Sequence, residues 1–191
     1  DDNTPPCFRA YSISSSPEVK NQFSTCIKLV DGGRGSNWLN ELKEGDQINF
    51  IGPSGKFTTE EKEGKLFFIA TGTGITPFKS IIEDELAKGN SNQIDLLFGL
   101  RHKKGVFYQD FFSELANKHQ NFNFDITLSR PETEEWEGKE GRVTKHLEES
   151  NLDTKETHYF ICGLKAMIDS VVEILKNKGV PEERIHFEKF D

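Results

Sequence analysis

KLFFIATGTGITPF, residues 65–78, decides the fold. Its first positions form a near-continuous apolar run, the pattern of a strand buried on both faces of a parallel sheet. The run meets Thr-Gly-Thr-Gly and then Thr76-Pro77, where a helix opens. Pro77 in the first turn costs no hydrogen bond, because first-turn N–H groups lack an intrahelical acceptor. Gly72 and Gly74 let backbone approach an anion, and the helix N-terminus presents N–H groups and a partial positive charge to it. Thr73 lies between the two glycines. The segment reads as a pyrophosphate-binding turn at the carboxyl end of the first strand of a doubly wound sheet. It is not the G-x-G-x-x-G fingerprint, since Pro77 stands where the last glycine would fall. Without a ligand the same residues are a plain strand-to-helix corner.

Working outward, strands and helices alternate through the rest of the chain: IDLLFGL, FYQDFFSELANKH, NFDITLS, RVTKHLEES, HYFIC, LKAMIDSVVEILKNKG and RIHFEKF follow in order. This predicts an α/β unit over residues 64–191 with a doubly wound, five-stranded parallel sheet. The acidic stretch Glu132 to Glu140, with five carboxylates, reads as a solvated loop. Upstream the character changes. FRAYSIS, FSTCIKLV and DQINFIG are short β-like runs separated by SSPEVKN, DGGRGSN and GPSGK, which predicts antiparallel strands over residues 1–63. One short helix, SNWLNEL, interrupts them with Ser36 as its expected N-cap. The preceding GGRGSNWL (32–39) is a second, weaker anion-binding turn, carrying Arg34.

Composition excludes whole classes of function. The chain has 191 residues, 34% hydrophobic and 29% charged, and no apolar run long enough to span a bilayer. Twenty-four basic against 32 acidic residues leave a net charge of −8, spread over both halves, which disfavours nucleic acid as a partner. Cys7, Cys26 and Cys162 lack C-x-x-C spacing, and the five histidines show no metal-ligand spacing. Redox chemistry would therefore rest on an organic cofactor or a partner. Isolated thiols in odd number suit a reducing, cytoplasmic setting.

Arg-Ala-Tyr-Ser (9–12), Gly-Arg-Gly-Ser (33–36), Gly-Thr-Gly-Ile-Thr-Pro (72–77) and Cys-Gly-Leu-Lys-Ala-Met (162–167), in that order, resemble the ferredoxin–NADP+ reductase family. TCIKLV (25–30) is similar to that family's flavin-adjacent strand, and Glu188-Lys189-Phe190 resembles its terminal Glu-x-aromatic. Each residue alone has a blander reading: Tyr11 and Phe190 as core aromatics, Cys162 as a small buried hydrophobe. The order of the four motifs carries the resemblance.

The resemblance implies an all-β, six-stranded antiparallel flavin-binding barrel followed by the NAD(P)-binding α/β unit. It implies FAD, with FMN as the alternative, and NADP or NAD. Arg9 would pair with the flavin diphosphate, Tyr11 would lie on the isoalloxazine, and Ser12 would stand near flavin N5. Gly35 and Ser36 would hold the diphosphate, with Lys28 along the adenosine side. Gly72, Thr73, Gly74 and Pro77 would line the nicotinamide dinucleotide, and Cys162-Gly163 would face the nicotinamide, positioning it rather than attacking it. Glu188 would hydrogen-bond Ser12 or Cys162 and relay a proton. Phe190 would cover the other flavin face, although this chain has Phe followed by Asp191 where the plant-type enzymes end on an aromatic that is usually Tyr. Ser129, Arg130 and Arg142 would contact a 2′-phosphate, favouring NADP, against the carboxylates nearby. Apart from the resemblance, Trp136 in the acidic stretch is expected to pack over the adenine side.

The implied reaction moves a hydride from NAD(P)H to flavin and electrons singly to ferredoxin or flavodoxin. The alternatives are the reductase component of a multicomponent oxygenase and a non-catalytic nucleotide-binding subunit. In this family the Arg-x-Tyr-Ser strand comes fourth in the barrel, yet here it begins by Phe8. About three strands, roughly 25 to 40 residues at ordinary spacing, are therefore expected upstream of this chain, and the flavin site is not expected to close without them.

Overall fold

The computed structural model describes residues 8–60, 62–131 and 136–190. Cys7 and the first part of the acidic stretch lie outside the described residues. Helix α1 spans Arg34–Glu41. The α/β unit then runs β1 (Lys65–Thr71), α2 (Ile75–Ala87), β2 (Ile94–Leu100), α3 (Gln109–Lys118), β3 (Phe122–Leu128), β4 (Lys139–Glu140), α4 (Val143–Glu149), β5 (Thr157–Leu164), α5 (Lys165–Asn177) and β6 (Ile185–Phe190).

The sheet has six parallel strands in the order β4-β3-β2-β1-β5-β6, one more than the five expected. The addition is β4, two charged residues inside the stretch read as a solvated loop. It pairs Lys139 with Thr127 and Glu140 with Leu128. Neither residue is apolar, so no hydrophobic period marks it. Local bonds hold it instead: Thr127 Oγ1 donates to the Gly141 carbonyl at 2.8 Å, and Trp136 Nε1 donates to the Lys139 carbonyl at 2.9 Å. The Trp136 ring packs on the core at this edge.

Alternation along each central strand divides the interior into two layers. Leu66, Phe68, Ala70, Leu96, Phe98, Phe160 and Cys162 face Phe78 and Ile82 of α2 and Phe112 of α3. Ile69, Leu97, Tyr159 and Ile161 face Val143 and Leu147 of α4 and Ile168, Val171 and Leu175 of α5. At roughly 1.5 to 3 kcal/mol for each large apolar side chain removed from water, these two layers supply the main drive for folding.

The expected barrel strands are not formed as strands. Among residues 8–60 the chain outside α1 forms turns and irregular segments, and FRAYSIS meets FSTCIKLV through a backbone bond, Ser14 N to Ser24 O at 2.8 Å. A side-chain bond adds to it, Thr25 Oγ1 to the Ser12 carbonyl at 2.8 Å. The alternation in QINFI is real, yet Phe50 is 64% and Ile51 93% exposed. Register is enforced by burial of one face, and here Phe50 meets Phe23 edge-on with centroids 4.9 Å apart while both rings stay exposed. The helix boundary also shifts. α1 begins at Arg34 with Gly33 as N-cap, so Ser36 is not the cap. Its hydroxyl accepts from Val30 N at 3.2 Å and donates to the Gly33 carbonyl at 3.4 Å, tying the turn to the helix.

At the opposite end of the sheet, His158 Nδ1 and His186 Nε2 are 3.0 Å apart, and Phe160 stacks on His186 with centroids 4.7 Å apart. Burial first, then neighbouring positive charge from Arg184 and Lys62 on His158, and from His158 and Lys62 on His186, favour the neutral rings. His158 is lowered, and His186 falls to about 4. The unfolded chain takes up these protons near the ordinary value of about 6.5, before the folded chain does. Stability is therefore complete above that pH and is lost as pH falls towards 4. With screening of these partly exposed rings, the loss is about 1 kcal/mol. Melting temperature measured from pH 7.5 to 4.5 should fall in the wild type and fall less in His186→Phe; equal slopes would refute the assignment.

Candidate functional site

The strand order reverses beside β1, whose neighbours are β2 and β5. In an open α/β sheet the ligand crevice lies at this switch point, outside the carboxyl ends of the strands. The turn Gly72–Gly74 leaves β1 there, and Cys162-Gly163 stands near the end of β5. A Cβ at Gly74 would stand 2.2 Å from the Cys162 carbonyl oxygen, so the two segments touch backbone to backbone. Thr76 Oγ1 donates to the Thr73 carbonyl at 2.6 Å, and Pro77 is buried in the first turn of α2. Gly163 faces Thr71 and Met167.

Register places Ala70, Cys162 and Glu188 side by side across β1, β5 and β6, on the α2 face. Cys162 is fully buried. Burial pushes its thiol well above the ordinary range, and the Glu188 carboxylate adds to the effect, so it is an uncharged thiol at neutral pH. Such a group packs; it does not attack. Ser12 Oγ, from the first part of the chain, donates to Glu188 Oε1 at 3.1 Å across 176 residues of sequence. Both side chains are part-buried, so the pair is open to one side.

Arg9, Tyr11 and Gly35 also converge. A Cβ at Gly35 would stand 3.1 Å from the Tyr11 hydroxyl and 3.4 Å from Arg9 Cγ. Tyr11 is 41% exposed, with ring surface to offer. The first-turn amides of Gly35 and Ser36 precede the first intrahelical bond, which Asn37 N makes to Gly33 O at 3.0 Å. Ser36 is placed here by its backbone, its hydroxyl being engaged within the turn. Lys28 is exposed, and no described contact joins it to Arg9, Tyr11 or Gly35. Phe190 ends β6 in register with Leu164 and packs on the core cluster containing Cys162. Among the described residues no ring contact joins it to Tyr11.

A third group gathers at the ends of β2, β3 and β4. Ser129 N donates to Leu100 O and Arg130 N to Arg101 O, both at 2.9 Å, while Gly141 N donates to Leu128 O at 2.8 Å and brings Arg142 alongside. The sequence reading missed Arg101. Its signal was its place directly after a buried strand, at the carboxyl end of the sheet.

The donor set fits a flavin dinucleotide and a nicotinamide dinucleotide. One glycine cradle lies under an arginine and a tyrosine, and a second lies at the switch point. A family model for an oxidoreductase NAD-binding domain matches residues 68–173, and one for an oxidoreductase FAD-binding domain matches residues 3–59. The chain is 35% identical over 191 residues to ferredoxin–NADP reductase B of Sorangium cellulosum, covering 96% of this chain and 78% of that protein.

The chain belongs to the ferredoxin–NADP+ reductase family. It is an NAD(P)H-dependent flavin oxidoreductase, with FAD and NAD(P) as its cofactors. It is also 32% identical to a component of the Na(+)-translocating NADH-quinone reductase of Neisseria meningitidis, covering 97% of this chain but only 49% of that longer relative. A solved ferredoxin–NADP+ reductase from Plasmodium falciparum superposes with a TM-score of 0.77 at 27% identity, covering 97% of this chain and 78% of that one. No helix among the described residues is long and apolar enough to cross a membrane.

Proposed function

We propose that the protein takes hydride from NADPH onto FAD and passes electrons singly to ferredoxin or flavodoxin. The carrying observation is the Ser12–Glu188 bond, which joins the flavin-side segment to the nicotinamide-side sheet beside Cys162. FAD, when bound, supplies the acceptor of the hydride and the step from two-electron to one-electron chemistry. Arg9 holds the flavin diphosphate as a fixed fork of donors, with the Gly35 and Ser36 amides opposite it. Tyr11 supports the ring system, burying apolar surface against it. On the other side, Gly72, Thr73 and Gly74 hold the nicotinamide dinucleotide. Cys162 sets the nicotinamide's depth, and Ser12 with Glu188 carries a proton between solvent and the flavin edge. Phe190 shields the site from the β6 side.

FAD-loaded protein should lose its yellow absorbance on addition of NADPH and recover it with oxidised ferredoxin or flavodoxin. Failure of NADPH to bleach a fully FAD-loaded sample would sink the reading, and a non-catalytic nucleotide-binding role would then account for the fold.

The preference for NADPH rests on Arg130, with Ser129, Arg101 and Arg142 beside it at one sheet edge. A charged hydrogen bond contributes about 1.5 to 3 kcal/mol, so Arg130→Ala should raise KM for NADPH roughly 10- to 100-fold. KM for NADH should change less than about twofold. Equal loss with both nucleotides would show that Arg130 does not read the 2′-phosphate.

A further inference from the structure

The Ser12–Glu188 bond crosses between two parts of the chain, so its length depends on whatever holds those parts together. Segment 12–16 lies against α2. Ser80 Oγ donates to the Ser15 carbonyl at 2.8 Å, and Lys79 Nζ lies 3.4 Å from the Ser14 carbonyl. Lys79 is itself held in place. Its ammonium is 3.3 Å from Glu83 Oε2 and 3.9 Å from the centre of the Phe111 ring, and its side chain is only 15% exposed. On the far side, segment 12–16 is tied to residues 24 and 25 through Ser14 N, Ser14 Oγ and the Ser12 carbonyl. Ser14 and Ser16 are buried in this seam.

We propose that Ser80, with Lys79 beside it, is a positioning residue for hydride transfer. It clamps consecutive carbonyls of the segment bearing Ser12 and so sets where Ser12 meets Glu188. The inference rests on the roles given to Ser12 and Glu188 above. Physical spacing supports it. Ser80 lies on the helix that opens at the switch-point turn, three residues beyond Pro77, so one rigid element carries both the nicotinamide turn and the clamp. Segment 12–16 makes no regular strand ladder and is otherwise held by backbone and side-chain bonds to residues 24 and 25, so a donor fixed on α2 adds to its stiffness.

The test begins without cofactor. In Ser80→Ala, amide hydrogen exchange of residues 12–16 should be about tenfold faster than in wild type, and Ser80→Thr, which keeps the hydroxyl, should restore protection. In FAD-loaded protein, single-turnover hydride transfer from saturating NADPH should fall about tenfold in Ser80→Ala with KM little changed. In a Glu188→Gln background the same substitution should cost almost nothing more, because both changes remove one coupled arrangement. Unchanged exchange, or a full additive loss in the Glu188→Gln background, would overturn the proposal. If wild type transfers no hydride, the functional reading falls by itself, and the exchange comparison alone decides whether Ser80 clamps the segment.

Discussion

Gly74→Ala is expected to cost about 3 kcal/mol of stability and to lower NADP+ affinity at least about tenfold. Gly74 has φ −61°, a conformation open to any residue, so backbone freedom is not the reason. The reason is proximity. The new methyl would stand 2.2 Å from the Cys162 oxygen, 2.5 Å from its carbonyl carbon and 2.8 Å from Gly163 N. All three are backbone atoms, so no side-chain rotation relieves the clash, and β5 must part from the turn after β1. That separation opens the crevice proposed to hold the dinucleotide. For a chain of this size, about 3 kcal/mol lowers the melting temperature by roughly 6 to 12 °C. Gly105→Ala, where nothing lies within 4 Å, is the control and should stay within about 0.5 kcal/mol. Calorimetry and nucleotide titration measure both effects; a Gly74→Ala protein with wild-type melting and affinity would show that the contact is not maintained.

Ser12→Ala and Glu188→Gln should each slow flavin reduction by NADPH about 10²- to 10³-fold while leaving FAD affinity within about twofold. Ser12→Ala removes the hydroxyl, and Glu188→Gln keeps a hydrogen-bond acceptor but removes the charge that can take a proton. The two side chains are bonded at 3.1 Å, so their effects should overlap strongly: the double variant should be little slower than the worse single one. Multiplicative losses would mean two independent functions, and unchanged rates would remove both residues from the proton path. Stopped-flow absorbance of the flavin gives the rates directly.

The α/β unit was legible because its signals are local and strong. KLFFIAT, IDLLFGL and HYFIC are apolar runs of strand length, and each is followed by residues that open a turn or helix. The same logic fails for β4, where Lys139 and Glu140 pair through backbone alone and carry charges that no hydrophobic period can register. It fails again at α1, where Ser36 has the chemistry of an N-cap but Gly33 takes the position and the hydroxyl closes the turn. The β-like runs before residue 60 show the limit most clearly. Alternation in QINFI describes a face, and a face becomes a strand only when a neighbour buries it.

The site divides along the same line. Gly72 and Gly74, the Arg-x-Tyr-Ser run and the Cys-Gly pair stood out in the sequence because each answers a local demand: a tight turn, a fixed charge, a small residue at a strand end. Arg101 beside Arg130 and Ser80 under Ser15 did not, since nothing near either residue in sequence records its partner. Order of motifs by itself determined the family and the two cofactors, and it named the residues proposed to face them. Tertiary structure alone decided the strand order that makes a switch point beside β1. It also decided the register that sets Cys162 against Glu188 and the clamp that brings Ser12 within 3.1 Å of that carboxylate. The physical reason is that turn and charge chemistry act over a few residues, whereas register and docking are set by burial and hydrogen bonds between segments that lie far apart in sequence.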